Sequence, residues 1–324
     1  MRKSIAIIIT SILVLSGCNK QQSVSDRLLN EVEKAIAINP DSASNLLKGI
    51  SSPEKLDNKT FARWCMLSGK ITDEIFNSIL PTYQLERAYD WYSSHGSPDE
   101  QVQILIYLGR SYFADGDYDK AMSIYTNALD IAEKNKLNNL TGYTYSYIGD
   151  LYGEKFMRTE AIKRYKAAAE CFKKENNTDS YACALRDVGR EYACIDSLSR
   201  ALKILTIADS VARNTKNIEV TASIDNALGN IYAMQNKYDK AEEYFLKALV
   251  GRETMPDYMA LIDLYIASGA INKAQELLSK ILQDNPKYTY SIKYLYYQIY
   301  NEEKNYKEAL TNLKEYVEIT DSII

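Results

Sequence analysis

Apolar positions in this chain keep a register of forty residues from Gln101 to Leu249. In each unit an aliphatic residue precedes a glycine, and tyrosine follows three residues on. Alanine comes nine residues later, a large apolar residue four after that, and a second alanine three further. The pattern stands as Leu108-Gly109-x-x-Tyr112, Ala121, Tyr125, Ala128, and again as Leu228-Gly229-x-x-Tyr232, Ala241, Phe245, Ala248. Steps of three, four and seven place these residues on one face of a helix, so each unit is predicted to be two helices joined by a short turn. The glycine column runs Gly69, Gly109, Gly149, Gly189, Gly229, and the alanine columns run Ala88, Ala128, Ala168, Ala208, Ala248 and Ala121, Ala161, Ala201, Ala241. A tyrosine column runs Tyr112, Tyr152, Tyr192, Tyr232. A small residue inside a helix sacrifices packing area or helix propensity, so such a column marks where two helices approach too closely for a larger side chain.

Polar stretches at 135–139, 175–179 and 214–218 are predicted to be the loops between units, with Ile131 to Lys134 and Val211 to Asn214 lengthening the second helix. Upstream, Val24, Leu28, Leu29, Val32, Ala35 and Ile36 predict an amphipathic helix that Asn39-Pro40 ends, with Asp41-Ser42 capping the next. A degenerate unit from Ala62 keeps Gly69, Leu85 and Ala88 but has Pro81 at the first alanine position, and is expected to act as a cap. Well-matched units begin at Val102, Gly142, Ala182 and Ala222. A shorter unit carries Leu261, Tyr265, Gly269, Ala274 and Leu278 and ends at Pro286; a last one carries Tyr300, Tyr306, Ala309 and Leu313, with Tyr297 replacing the glycine. The organisation is therefore N-terminal helices and cap at 24–101, four units at 102–254, and two shorter units with a C-terminal helix at 255–324. Length alone would give about two domains. The unbroken register predicts one quasi-linear stack in which each unit touches only its neighbours.

These columns resemble the tetratricopeptide repeat family over roughly residues 62 to 317, with units of forty in place of that family's thirty-four. The resemblance implies an all-α fold, a right-handed α-solenoid of antiparallel helix pairs. Helix A of each pair would line a concave face, and a protein or peptide partner would be held there. The forty-residue units are also similar to the periplasmic part of bacterial regulators that continue into a membrane span and a DNA-binding domain. The alternative reading is thus a sensor part without its output domain.

Ahead of the helices, Arg2 and Lys3 precede an apolar run from Ile5 to Leu15, too short for a confident membrane span. Leu15-Ser16-Gly17-Cys18 resembles the lipobox of bacterial lipoproteins. That resemblance implies a signal peptide at 1–17, lipidation of Cys18, and a polar tether at 18–23. An ordinary secretory signal or a short anchor is the competing reading. A diacylglyceryl group carries enough acyl chain for stable anchoring, so the expected location is the bacterial cell envelope, attached to a membrane through the N-terminal lipid. No acidic cluster follows Cys18 and the first acid is Asp26, which favours a periplasm-facing position. Removing Arg2 and Lys3 moves the formal net charge from -4 to -6.

With a negative charge and no basic cluster, nucleic-acid binding is not expected. Apolar residues make up 46% of the chain, enough for a continuous core, and 27 tyrosines supply much of its bulk. His95 is the only histidine and lies among Gly, Ser and Pro, which rules out a histidine-rich metal site and leaves any Ser-His-Asp or Cys-His arrangement dependent on this one residue. Asp115, Asp117 and Asp119 alternate like the start of a calcium loop, but Lys120 and Thr126 occupy its glycine and glutamate positions. Ser68-Gly69-Lys70 lacks the first glycine of a phosphate loop, where Trp64 stands. Cys183 and Cys194 lie about 16 Å apart on one helix, too far for a disulfide; with Cys65 and Cys171 they read as small core residues. No cofactor, metal or catalytic residue is predicted, and an enzyme is the second alternative.

The remaining candidates occupy the face of helix A. Arg110, Asp150, Arg190 and Asn230 form one column; Ile106, Ser146, Arg186 and Asn226 form another, four residues earlier. In peptide-binding relatives of the resembled family, Asn, Lys or Arg at such positions grip a ligand's backbone or carboxylate. Arg186 with Arg190, and Asn226 with Asn230, are each one turn apart and could present forked donors. Tyr143 and Tyr147 would line the same groove, and Tyr107 and Phe113 read with them as core or groove lining. A competing expectation is an ion-pair ladder, because Arg110, Asp150 and Arg190 alternate in sign.

Overall fold

A computed structural model describes residues 24–75, 79–251, 254–284 and 289–321. The predicted signal peptide, the Cys18 lipidation site, the tether to residue 23 and Pro286 lie outside the described residues. Those described are helices and their connections, with no strand among them.

Two compact units divide the chain at Glu175/Asn176. The first holds α1 (24–36), α2 (Pro40–Lys48), a 3-10 turn at Pro53–Lys55, α3 (Asn58–Ile75), α4 (Thr82–His95), α5 (Pro98–Ala114), α6 (Tyr118–Lys134), α7 (Asn138–Glu154) and α8 (Arg158–Lys174). The second holds α9 (Thr178–Cys194), α10 (Leu198–Ala212), α11 (Ile218–Met234), α12 (Tyr238–Gly251), α13 (Met255–Ala267), α14 (Ile271–Asp284), α15 (Thr289–Glu302) and α16 (Tyr306–Asp321). In the first unit α5 packs on α6 and α7, and α7 on α8; α3 packs on α4 and α5. In the second, α9 packs on α10 and α11, and α11 on α12 and α13. The register of forty runs through the Glu175/Asn176 loop unchanged, so periodicity alone does not reveal the division.

The glycine column meets equivalent surroundings. A Cβ added at Gly109 would lie 2.3 Å from the Tyr125 ring, at Gly149 2.7 Å from Tyr165, at Gly189 2.6 Å from Leu205, and at Gly229 2.6 Å from Phe245. Each is the large apolar residue of the same unit, so the helix pair closes only over a missing side chain. Ala121, Ala128, Ala161, Ala168, Ala201, Ala208, Ala241 and Ala248 are all fully buried. Gly69 differs: a Cβ added there would collide with the ring of Tyr107 of α5. Leu85 holds the ring position of this first pair, and Tyr107 from the next helix occupies the space against Gly69.

Helix ends follow a second, twenty-residue rhythm. Gly116, Lys136, Phe156, Asn176, Asp196, Lys216 and Asn236 all adopt the left-handed conformation, with φ between 56° and 76°. Behind the turn, the N–H of Asp117 donates to Tyr112 O at 2.9 Å, and Met157, Ser197 and Lys237 repeat the bond to Tyr152, Tyr192 and Tyr232. This is the six-to-one bond of a Schellman ending. The next helix is then capped by side chains: Asp117 accepts from Lys120 N, Asn177 from Ser180 N and Asn217 from Val220 N, each at 3.2 Å. Asp117 is therefore a helix cap.

Three sequence expectations are corrected. The loops between units are shorter than predicted, because α7, α9 and α11 begin at Asn138, Thr178 and Ile218, inside the stretches read as loops; the six additional residues per unit lengthen both helices. His95 ends α4 instead of lying in a turn, stacked on Trp91 at 5.0 Å with Nδ1 2.9 Å from Trp91 O. Cys65 and Cys171 are buried, whereas Cys183 is half-buried and Cys194 exposed, so only the first pair are core residues. Burial pushes the Cys65 thiol up, which keeps it protonated.

Candidate functional site

On the first unit, α3, α5 and α7 lie side by side and enclose a cleft of about 430 Å³. Of the helix-A candidates, Ile106, Arg110, Tyr143 and Tyr147 line it. Asp73, Gln103 and Tyr107 line it as well. Arg110 forms an ion pair with Asp73, and Tyr107 Oη donates to the other Asp73 oxygen at 2.9 Å. Gln103 Nε2 donates to Tyr107 Oη at 3.0 Å, which extends the network along α5. The Arg110 guanidinium also lies 5.6 Å from the Tyr147 ring centre and 6.0 Å from that of Tyr107.

Burial opposes the charged form of Arg110, but Tyr147 and Asp73 beside it outweigh that, and the guanidinium is held above its ordinary value. Burial likewise pushes the Tyr147 hydroxyl up to about 12, against the pull of Arg110. Tyr107 is raised by burial first and by Asp73 second. At neutral pH the cleft therefore presents a fixed guanidinium at Arg110 and neutral phenols at Tyr107 and Tyr147. Tyr147 stacks on Tyr125 at 5.6 Å and Tyr143 meets Phe172 edge-on at 4.9 Å, so the core sets both ring positions. Tyr143 stays 38% exposed, available to a ligand.

Such a wall offers forked donors, an amide and aromatic faces, the groups that hold an extended backbone and one apolar or aromatic side chain. Among the described residues, no group of three or more His, Cys, Asp or Glu side chains is placed to hold a metal.

The other predicted residues are placed differently. Asp150 accepts from Tyr165 Oη at 2.6 Å, and Arg110 turns to Asp73. The expected ladder is thus replaced on α5 by an ion pair to α3. On the second unit, Arg186 binds Asp187 with two nitrogens, at 3.0 and 3.1 Å, and donates a third bond to Ser223 at 2.9 Å. Arg190 lies 3.7 Å from the same Asp187 carboxylate. Asn226 donates to Asp257 at 2.8 Å, and Asn230 donates back to Asn226 at 3.0 Å. Arg186, Asn226 and Asn230 therefore direct donors to the chain's own groups, whereas the Arg190 side chain stays 66% exposed.

Tyr107, read from the sequence as core or groove lining, lies in the cleft wall. Asp73 and Gln103 were missed by the sequence reading, although Gln103 was accessible to it, since it shares the column of Tyr143. Asp73 carries no periodic signal, since Phe113 stands forty residues on.

Residues 100–174 and 221–255 match family models described as tetratricopeptide repeat. No curated protein matches the sequence. Among solved structures, the chain is similar to a Rap protein complexed with Competence and Sporulation Factor, at TM-score 0.70 and 18% identity over 93% of this chain and 88% of that one. It is similar to NprR in complex with its cognate peptide NprX, at TM-score 0.57 and 14% identity over 90% and 88%. A tetratricopeptide repeat protein from Parabacteroides merdae ATCC 43184 matches at TM-score 0.56 and 16% identity over 80% and 93%. At these identities the likeness is one of fold.

Proposed function

We propose that this chain, which belongs to the tetratricopeptide-repeat family, is a binding scaffold that holds an extended peptide segment of a protein partner in the α3–α5–α7 cleft. The convergence of Arg110, Tyr143 and Tyr147 with Asp73 and Gln103 around about 430 Å³ carries this reading. Two of the similar folds are complexes, one of them with its cognate peptide, which supports a peptide over a folded domain. Arg110 bonds ligand carbonyl or carboxylate oxygen through donors not engaged by Asp73, and Tyr143 covers one ligand side chain. A peptide display selected on the wild-type chain tests this. The selected peptides are expected to lose binding to Arg110→Ala and Tyr143→Ala and keep it with Asn230→Ala. Equal binding by all three variants overturns the cleft assignment.

The scaffold is anchored, on the same proposal, to a bacterial membrane through lipid at Cys18 and faces the periplasm, on the resemblance of Leu15 to Cys18 to a lipobox. Labelled fatty acid supplied to cells is expected in the wild-type chain and not in Cys18→Ala; label in both removes the anchor. Fractionation with protease protection tests the facing. The sensor alternative uses the same cleft and differs in output: peptide occupancy would change the chain's affinity for a second protein.

A further inference from the structure

A second cavity, of about 670 Å³, lies wholly within the second unit and shares no residue with the α3–α5–α7 cleft. It is a trough with α13 as its floor, through Tyr258, Leu261 and Tyr265, and α12 and α14 as its walls. The α12 wall carries Leu246 and Val250, which are 46% and 91% exposed. In the three preceding units the same two positions are polar: Thr126 and Asp130, Lys166 and Glu170, Thr206 and Ser210. Apolar exposure here is therefore peculiar to this unit, and its contiguity with the trough marks it as a surface meant to be covered. The α14 wall carries Glu276 and Lys280, one helical turn apart, both exposed and without an ion-pair partner among the described residues.

The same unit displays a surface of matching form. Along α16, Tyr306, Leu310 and Val317 are exposed at 65%, 53% and 45%, with half-buried Leu313 between them. They sit at i, i+4, i+7 and i+11, one stripe of an amphipathic helix. Lys314 and Glu318 edge that stripe one turn apart, exposed, and do not pair with each other. Their order, cation then anion, is the reverse of Glu276 and Lys280. The segment Leu310–Val317 rises about 10 Å, as does Lys273–Lys280 along the trough wall.

We propose that the α12–α13–α14 trough is the docking site for α16 of a second copy of this chain. Leu310, Leu313 and Val317 enter the trough, where they cover Leu246 and Val250; α16 runs parallel to α14, setting Lys314 against Glu276 and Glu318 against Lys280. The contact joins two different surfaces, so each added copy leaves one trough and one α16 open, and assembly grows with concentration until a ring closes.

Sedimentation velocity of the full chain over rising concentration tests this, with circular dichroism to confirm folding. Wild type is expected to form a ladder of species. Val250→Glu and Leu310→Glu, at exposed positions, should each be monomeric, and their equimolar mixture should give a one-to-one pair, because each variant supplies the surface the other lacks. Lys280→Glu should weaken assembly, and Glu318→Lys added to it should restore it. A wild type that stays monomeric overturns the proposal. So does a Val250→Glu chain that assembles like wild type, the sign of an α16–α16 or unrelated contact, or a mixture that remains monomeric.

Discussion

The α3–α5–α7 face of the first unit and the α9–α11–α13 face of the second are built from the same register columns and end in different states. Where the first has Gln103, Tyr107, Tyr143 and Tyr147, the second has Cys183, Asp187, Ser223 and Ala227. In the first, Arg110 turns to Asp73 and the tyrosines bound an open cleft. In the second, Asp187 and Ser223 take up Arg186, and Asp257 takes up Asn226. The lesson is that a polar residue in the ligand-facing column of a repeat indicates position only. Its neighbours in adjacent columns decide whether it faces a partner or the chain itself. A second matched pair repeats the point: Tyr145 donates to Glu133 at 2.6 Å in the first unit, and eighty residues on the same two positions hold the ion pair Arg213–Asp225, at 2.9 Å.

The largest effect is expected from the packing that both units share. Tyr125→Ala should cost about 4 kcal/mol and Leu205→Ala about 3 kcal/mol, because each removes the side chain that fills the glycine gap. Hydrogen exchange read by segment checks this: Tyr125→Ala should loosen α5 to α8 and leave α11 to α14 protected, whereas loss throughout would show that the two units unfold as one.

Next comes the Glu133/Arg213 pair of positions. Arg213→Ala leaves the buried Asp225 carboxylate uncompensated and should cost about 2 kcal/mol at neutral pH, a value reduced because Arg213 is half exposed. Burial already raises the Asp225 carboxyl, Arg213 opposing it. With the cation gone the folded-state value rises further. A raised folded value means that stability is present below the unfolded value and is lost as pH rises through the folded one. The variant should therefore approach wild type on acidification and fall away toward neutrality. Tyr145→Phe, which leaves Glu133 to solvent, should cost about 1 kcal/mol with little pH dependence. Urea denaturation at acidic and neutral pH distinguishes the two.

Smaller again is the contrast in binding between the two faces. Arg110→Ala or Tyr143→Ala should weaken a cleft-bound peptide about tenfold or more, and Arg190→Ala or Asn230→Ala less than twofold. Isothermal titration with a selected peptide reads both; equal losses would remove the distinction between open and self-satisfied faces. The smallest expected change is a gain. Phe156 holds a left-handed backbone and is largely exposed, with Arg158 5.1 Å over its ring. Phe156→Gly should raise stability by up to about 1 kcal/mol, less whatever that contact contributes, as a shift of the thermal midpoint of the first unit.

Sequence by itself determined the helix pairs, their order and the small-residue seams, because close approach between helices can be met only by residues without bulk, and that requirement repeats with every pair. It also placed Arg110, Tyr143 and Tyr147 on one wall, since a helix face is fixed by spacing. Tertiary structure alone decided that Asp73 answers Arg110 and that Asp187 takes Arg186 out of reach. It alone set Tyr107 against Gly69, made Cys194 a surface residue, and divided the chain after Glu175. Hydrogen-bond partners depend on side-chain direction and on distances between helices far apart in sequence. A period fixes the face a residue occupies and says nothing of which neighbour reaches it first.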